Sequence, residues 1–395
     1  RKIKEGLFYK CIYTDNILDY IESSSVIFER DFEGEHYTPS DRDAKYFDPI
    51  IIFSYLISRF VSKKKITSQI ETEVKQIILD LNNIFHTSID PLEFAYNTVS
   101  IYKRWLIQKK MTKKLINKYK PKCIIEVVYY SLPNLIINEI ARELNITTVE
   151  LQHGTMGNYH IAYNFSEKIN VPYLPDKIFL FSNYWKQNSR LPQDSNDLIV
   201  TGFPYIESKI NEFNNINSTL KERKEYTIIF ISQLTIGELL SKFIVELVKE
   251  MDEANIGCKI IYKLHGSEYS TWRIRYPWLL QIKDKIHIID NNNKSIYEYF
   301  AICDAQVGVY STALFEGLAF GLKTFIVDAY GVEYMQDLLD NKLAELIKST
   351  KELLDFIDKE KKDLINKKVK IKDRNLWEPH SINNILVNLN KFIDK

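Results

Sequence analysis

Reactive side chains in this sequence gather where apolar runs stop. The run Thr147-Thr148-Val149-Glu150-Leu151 ends on Gln152-His153-Gly154 and opens a polar loop carrying Gly157, Asn158 and His160. An imidazole titrates near neutrality and can take a proton from a hydroxyl. The glycines let a ligand come close to the backbone. A second run ends on Lys263-Leu264-His265-Gly266. Residues two apart on a strand share a face, and two donor side chains on one face suit a phosphate. A third ends on Tyr310-Ser311-Thr312, with Glu316 one turn further on. Hydroxyls at a helix N-terminus cap its amides and make an anion site. Ser232-Gln233, Asp290-Asn291 and Gly202-Phe203-Pro204 close three further runs. Taken singly, these residues have plainer roles as a turn histidine, a solvated lysine and a helix cap. Their common position at strand ends is what favours chemistry.

The elements that must hold them alternate. Lys122–Tyr130, "ITTVELQ", "KIFLFS" and "LIVTGFP" read as buried parallel strands with amphipathic helices between them. After a polar Asn/Lys-rich stretch, residues 211–225, the rhythm restarts with "YTIIFISQ", "CKIIYKLH", "KIHIID", "DAQVGVYS" and "KTFIVD". The expected organisation is therefore two α/β domains, residues 1–210 and 226–372, joined by the 211–225 linker. A final helix within 373–395 is expected to pack back on the first domain. Before the first sheet, "SSSVIFER" reads as a strand, and residues 49–118 carry helical periodicity as an insertion. In open α/β sheets ligands bind beyond the carboxyl ends of the strands, which is where the polar residues fall.

Composition narrows the function classes. With 53 Lys and Arg against 52 Asp and Glu, the formal charge is +1, which removes the electrostatic case for nucleic-acid binding. The four cysteines are scattered without metal or disulfide spacing, so a reducing, cytoplasmic setting is expected. No apolar stretch approaches the ~20 residues that span a bilayer. The apolar segment from Asp48 leaves peripheral association at the inner face of the membrane open. There is no Walker loop and no G-x-G-x-x-G, and neither cofactor nor metal is expected.

A strand ending in Gln-His-Gly, a later Lys-x-His, and a Ser-Thr pair followed by an acid resemble bacterial GT-B glycosyltransferases of surface-polysaccharide assembly. The similar groups are Kdo-transferase-like and polysialyltransferase-like proteins and teichoic-acid glycerophosphotransferases. The resemblance covers about residues 122–328. It implies two Rossmann-like domains whose parallel sheets face a central cleft, with a helical N-terminal elaboration. It also implies metal-independent transfer of a sugar from a nucleotide- or phosphate-linked donor to an oligosaccharide or lipid-linked acceptor. His153, His265 and Glu316 would then be catalytic. Lys263, Ser311, Thr312, Ser232 and Gln233 would bind the donor, and Gln152, Gly154, Asn158 and His160 the acceptor. One position departs from the pattern: Gly266 stands where the family has proline. Sugar-phosphate or polyol-phosphate transfer, sugar-nucleotide epimerisation and a non-catalytic binding module are the alternatives.

Overall fold

The computed structural model describes residues 2–31, 34–61, 64–157, 159–167, 171–217, 225–364 and 376–393. The chain starts with an antiparallel hairpin, β1 (Lys2–Glu5) and β2 (Phe8–Cys11). A short parallel pair follows, β3 (Ile27–Glu29) and β4 (Ala44–Tyr46). The strand expected from Ser23 is thus confined to β3. Three helices come next: Asp48–Ser58, Lys64–Phe85 and Pro91–Tyr119. The last begins where Asp90 accepts hydrogen bonds from the Leu92 and Glu93 amides with proline in the first turn, and ends at left-handed Lys120.

The first sheet holds β5 (Cys123–Glu126), β6 (Thr147–Leu151), β7 (Lys177–Leu180) and β8 (Leu198–Val200), all parallel and in chain order. The helix after β8, Pro204–Asn217, takes in the first residues of the expected linker; residues 218–224 lie outside the described residues. The second sheet has six parallel strands: β9 (Thr227–Ile231), β10 (Lys259–Lys263), β11 (His287–Ile289), β12 (Ala305–Gly308), β13 (Lys323–Val327) and β14 (Glu345–Ile347). Their order is β11-β10-β9-β12-β13-β14. The chain therefore reverses direction across the sheet between β9 and β12, and the two crossovers open a crevice at the carboxyl ends of that pair. Every residue of β9 and β12 is buried, as strands covered on both faces must be.

Aromatic side chains join the halves. Trp185 meets Phe315 at 4.9 Å between ring centroids, and Tyr205 meets Tyr297 at 5.5 Å. After the second sheet the chain returns to the first half. Trp185 Nε1 donates to the Leu376 carbonyl (3.1 Å), and the Glu378 amide to the Phe181 carbonyl (2.7 Å). Lys122 reaches the Ile393 carbonyl at the end of the Ser381–Ile393 helix (2.8 Å). Among the described residues no helix is long and apolar enough to cross a membrane.

Candidate functional site

His153 follows β6 and is held by three tyrosines. Tyr13 donates to its backbone carbonyl (2.6 Å). The Tyr163 hydroxyl donates to Glu150 Oε1 (2.7 Å) and lies 3.3 Å from His153 Nδ1. Having spent its proton on the carboxylate, that oxygen can only accept from the ring, so Nδ1 carries the imidazole proton. The lone pair is then on Nε2, which sits 3.2 Å from the Tyr130 hydroxyl. Burial, with the His160 ring nearby, holds the His153 pKa down to about 4. Glu150 is fully buried, and desolvation lifts its carboxyl to about 7 despite the bonds from Tyr163 and the Tyr129 amide. Its Oε1 lies 3.7 Å from Nδ1, but a half-protonated acid draws the imidazole upward only weakly.

Behind this group Glu126 pairs in register with Glu150 across β5 and β6. Asn138 donates to Glu126 (2.8 Å), while burial and the neighbouring Glu150 keep its carboxyl well above the ordinary range. Gln152 is 1% exposed. Its amide nitrogen donates to the Gly154 carbonyl (2.8 Å) and its oxygen accepts from the Phe181 amide (2.8 Å). That corrects its expected role: Gln152 fixes the loop from inside instead of facing an acceptor. His160 packs its ring 4.7 Å from that of Tyr163, and its Nδ1 is buried without a partner among the described residues. Asn158 lies outside the described residues.

In the second half Ser311 caps the Thr312–Ala319 helix, its hydroxyl accepting from the Ala313 amide (3.3 Å). Ser311 also takes the Leu314 amide on its carbonyl (3.0 Å), and the helix begins beyond the carboxyl end of β12, so the positive end of its dipole lies at the β9/β12 switch. At the same edge, after β9, Gln233 Oε1 is buried without a partner among the described residues, and Thr235 bonds Tyr310 (2.5 Å). Ser232 donates to Glu268 Oε1 (3.0 Å), which also accepts from Tyr276 (2.8 Å). The other oxygen of Glu268 takes the His265 amide (2.7 Å). One fully buried carboxylate thus ties the ends of β9 and β10 together.

Two expectations for this half need correction. Lys263 and His265 do not act as a pair, because the first is buried at the end of β10 and the second is exposed beyond it. The Lys263 ammonium is buried and directed at the Leu264 carbonyl (3.1 Å), the Asn291 carbonyl (3.3 Å) and the Tyr269 hydroxyl. It anchors the loops after β10 and β11. His265 is exposed and caps the Gly266–Glu268 turn, with Nδ1 against Ser267 (2.7 Å to the hydroxyl). Glu316 is also interior: it is 3% exposed and accepts from Tyr297 (2.9 Å), so it braces its helix from within.

The two halves meet at the loop after His153. A Cβ placed on Gly154 would lie 3.7 Å from Thr312 Oγ1, and one on Gly157 3.4 Å from Asp337 Oδ2. A shallow crevice is lined by Gly157, Tyr159, His160 and Tyr184 on one side and Phe315 and Asp337 on the other. Gly154, next to His153, therefore meets Thr312, next to Ser311, and His160 lines the adjoining crevice. Tyr13, Tyr130, Tyr163, Glu150 and Glu268 hold the candidate site residues and were missed by sequence reasoning. A Glu inside an otherwise apolar strand marks Glu150, and an acid three residues after a cap marks Glu268. The tyrosines carry no comparable signal.

No protein-family model matches the chain, and no curated protein matches it. Among solved structures, it is similar to UDP-GlcNAc 2-epimerase from Neisseria meningitidis bound to UDP-GlcNAc, with 13% identity over 75% of this chain and 82% of that one and a TM-score of 0.50. The UDP-GlcNAc 2-epimerase from Methanocaldococcus jannaschii gives 14% identity over 73% and 82% of the two chains, also with a TM-score of 0.50. The wall teichoic acid polymerase TagF matches more loosely, at 16% identity over 64% and 68% and a TM-score of 0.40. Likeness at this identity is one of fold: two Rossmann-like α/β halves face a cleft in the GT-B manner, with a helical elaboration before the first sheet.

Proposed function

We propose that this chain is a GT-B enzyme acting on an activated sugar, and that it transfers the sugar to an acceptor hydroxyl. The observation that carries the reading is the meeting of His153-Gly154 with the Ser311-capped helix N-terminus across the cleft. One side offers a neutral base and the other an anion site, which are the two needs of glycosyl transfer from a phosphate-linked donor. In this reading the donor phosphate sits against the first-turn amides of the Thr312–Ala319 helix, with Thr312 and Ser232-Gln233 beside it. Fixed dipoles there stabilise the charge that grows on the departing phosphate. His153 Nε2 accepts the acceptor hydroxyl's proton as that oxygen attacks the anomeric carbon and the bond to phosphate breaks. The positive charge left on the ring is met through Nδ1–H, Tyr163 and Glu150.

The test is turnover of nucleotide sugars by His153→Ala and Ser311→Ala proteins that keep the native circular-dichroism spectrum. Removing the base should cost about 10²–10⁴ in kcat, and near-native turnover by His153→Ala overturns the assignment. A second reading is epimerisation of a nucleotide sugar, favoured by the two epimerases with TM-scores of 0.50. The same assay separates them: an epimerised sugar formed without any acceptor supports the second, and a new glycosidic bond supports the first.

A further inference from the structure

The Asp48–Ser58 helix is built inside out. The side packed on the rest of the protein carries half-buried Ile50 and Ile51 and, between them, Ser54 and Ser58, 1% and 5% exposed, whose hydroxyls bond back to the Ile51 and Tyr55 carbonyls (2.7 and 2.8 Å). The outward side carries Ile52, Phe53, Tyr55, Leu56 and Ile57, each 44–55% exposed, and Phe60 just beyond is 87% exposed. At ~100° per residue these positions cover roughly 200° of the circumference, about twice the stripe a helix needs to pack on a protein core. Charge is nearly absent: from Pro49 to Phe60 the only ionisable side chains are Tyr55 and Arg59. The Arg59 guanidinium lies 4.7 Å from the Tyr55 ring and that of Arg104 lies 5.9 Å from it, so both cations gather at the Tyr55 edge of the apolar face. The sequence runs on into Lys63-Lys64-Lys65.

We propose that this face, centred on Phe53, Leu56 and Phe60 and bordered by Arg59 and Arg104, docks on an anionic lipid surface. Eleven residues span only ~16 Å, about half of a ~30 Å hydrocarbon core. The helix therefore lies in the plane of the interface. The width of the arc selects lipid over a second copy of the chain: a helix seam covers a narrow stripe, whereas an apolar medium wets every outward residue at once. Charge selects the headgroup, since the cations beside the face gain energy only from an anionic surface. The inference stands apart from the reaction proposed above, because none of these residues touches the cleft.

The experiment is co-sedimentation of the full chain with vesicles of phosphatidylglycerol and phosphatidylcholine, and with phosphatidylcholine alone. The native protein is expected to pellet with the anionic vesicles and to bind the neutral ones several-fold more weakly. Phe53→Ser combined with Phe60→Ser alters two exposed positions, so the melting temperature should hold while vesicle affinity falls by about tenfold or more. Arg59→Gln should narrow the gap between the two vesicle types. Failure of the native protein to pellet overturns the proposal, as does equal binding by the double variant. A native dimer in sedimentation velocity that the double variant turns into monomers also overturns it, by giving the face to a second copy.

Discussion

The general base proposed for the cleft, His153, has its pKa held down to about 4, and its surroundings explain why. Burial keeps the ring neutral through the whole physiological range, so Nε2 is always ready to accept, and the relay through Tyr163 offsets the charge once it arrives. The acid limb of kcat/KM is therefore expected near pH 4, well below the ~6.5 of a solvated imidazole. A pH–rate profile with its limb at 6.5 would place the essential base elsewhere. Tyr163→Phe keeps the ring's packing and removes the relay, so it should lower kcat with little change in KM. It also takes a donor from a buried carboxylate, at a cost of about 1–3 kcal/mol in urea unfolding. The two titrations act on stability with opposite signs. His153 has a depressed pKa, so its contribution is present above its unfolded value of ~6.5 and fades as pH falls towards 4. Glu150 has a raised pKa, so its contribution is present below the model value of 4.5 and fades as pH rises through 7. Between pH 4.5 and 6.5 they nearly cancel. His153→Gln removes one of them, and its stability should then fall as pH rises over that window, by up to about 1.4 kcal/mol per unit.

At the scale of the elements, the strands were plain in the sequence because a strand buried on both faces must be apolar throughout. Their polar ends were plain for the same reason. Hidden from it was what each polar end faces, since that depends on where the strand stops and on what the next loop brings. Lys263 illustrates the point: its neighbours Tyr269 and Asn291 come from two different loops. His153 was legible at its strand end, but Tyr13 and Tyr163 reach it from 140 and 10 residues away. The helix from Asp48 was legible as apolar, but not that its serines turn inward. Gly266 offers a test at this scale. It opens a short helical turn after extended His265 (φ −72°, ψ 151°), and nothing lies within 4 Å of a Cβ placed on it. The first amide of a turn has no partner within it, so proline fits there. Gly266→Pro should leave turnover intact and stabilise by about 0.4–1 kcal/mol through the unfolded chain. Gly202 is the contrasting case: its φ is +90°, and an added Cβ would lie 2.2 Å from the Glu378 carbonyl. Gly202→Ala should destabilise by well over 1 kcal/mol, and detach the returning C-terminal segment as it does so.

That returning segment decides how the whole molecule behaves. Two Rossmann-like halves facing a cleft could unfold separately, yet here one apolar cluster runs from Val149 and Ile178 of the first sheet to Ile229 and Ile326 of the second and Leu314 of the helix between β12 and β13. Trp377 belongs to the same cluster and packs 5.0 Å from the Phe181 ring. The Glu207 carboxylate takes the amides of His380 (2.7 Å) and Ser381 (2.9 Å), so the end of the chain is bolted to the first half by charge as well as packing. Cooperative unfolding requires that neither half gain by opening alone, and a shared core meets that requirement. Calorimetry of the native chain should therefore give one transition. An activated donor binds only the folded cleft and should raise that transition as a unit, by about 2.7 kcal/mol of stability at a hundredfold excess over Kd. Glu207→Gln removes the charge that holds the C-terminal amides while leaving the cleft residues untouched. It should split or broaden the transition, with the donor then shifting chiefly the component that carries Ser311 and Thr312. Two well-separated transitions in the native protein would show that the shared cluster does not couple the halves, and would assign the cleft to a loose hinge instead of a bolted one.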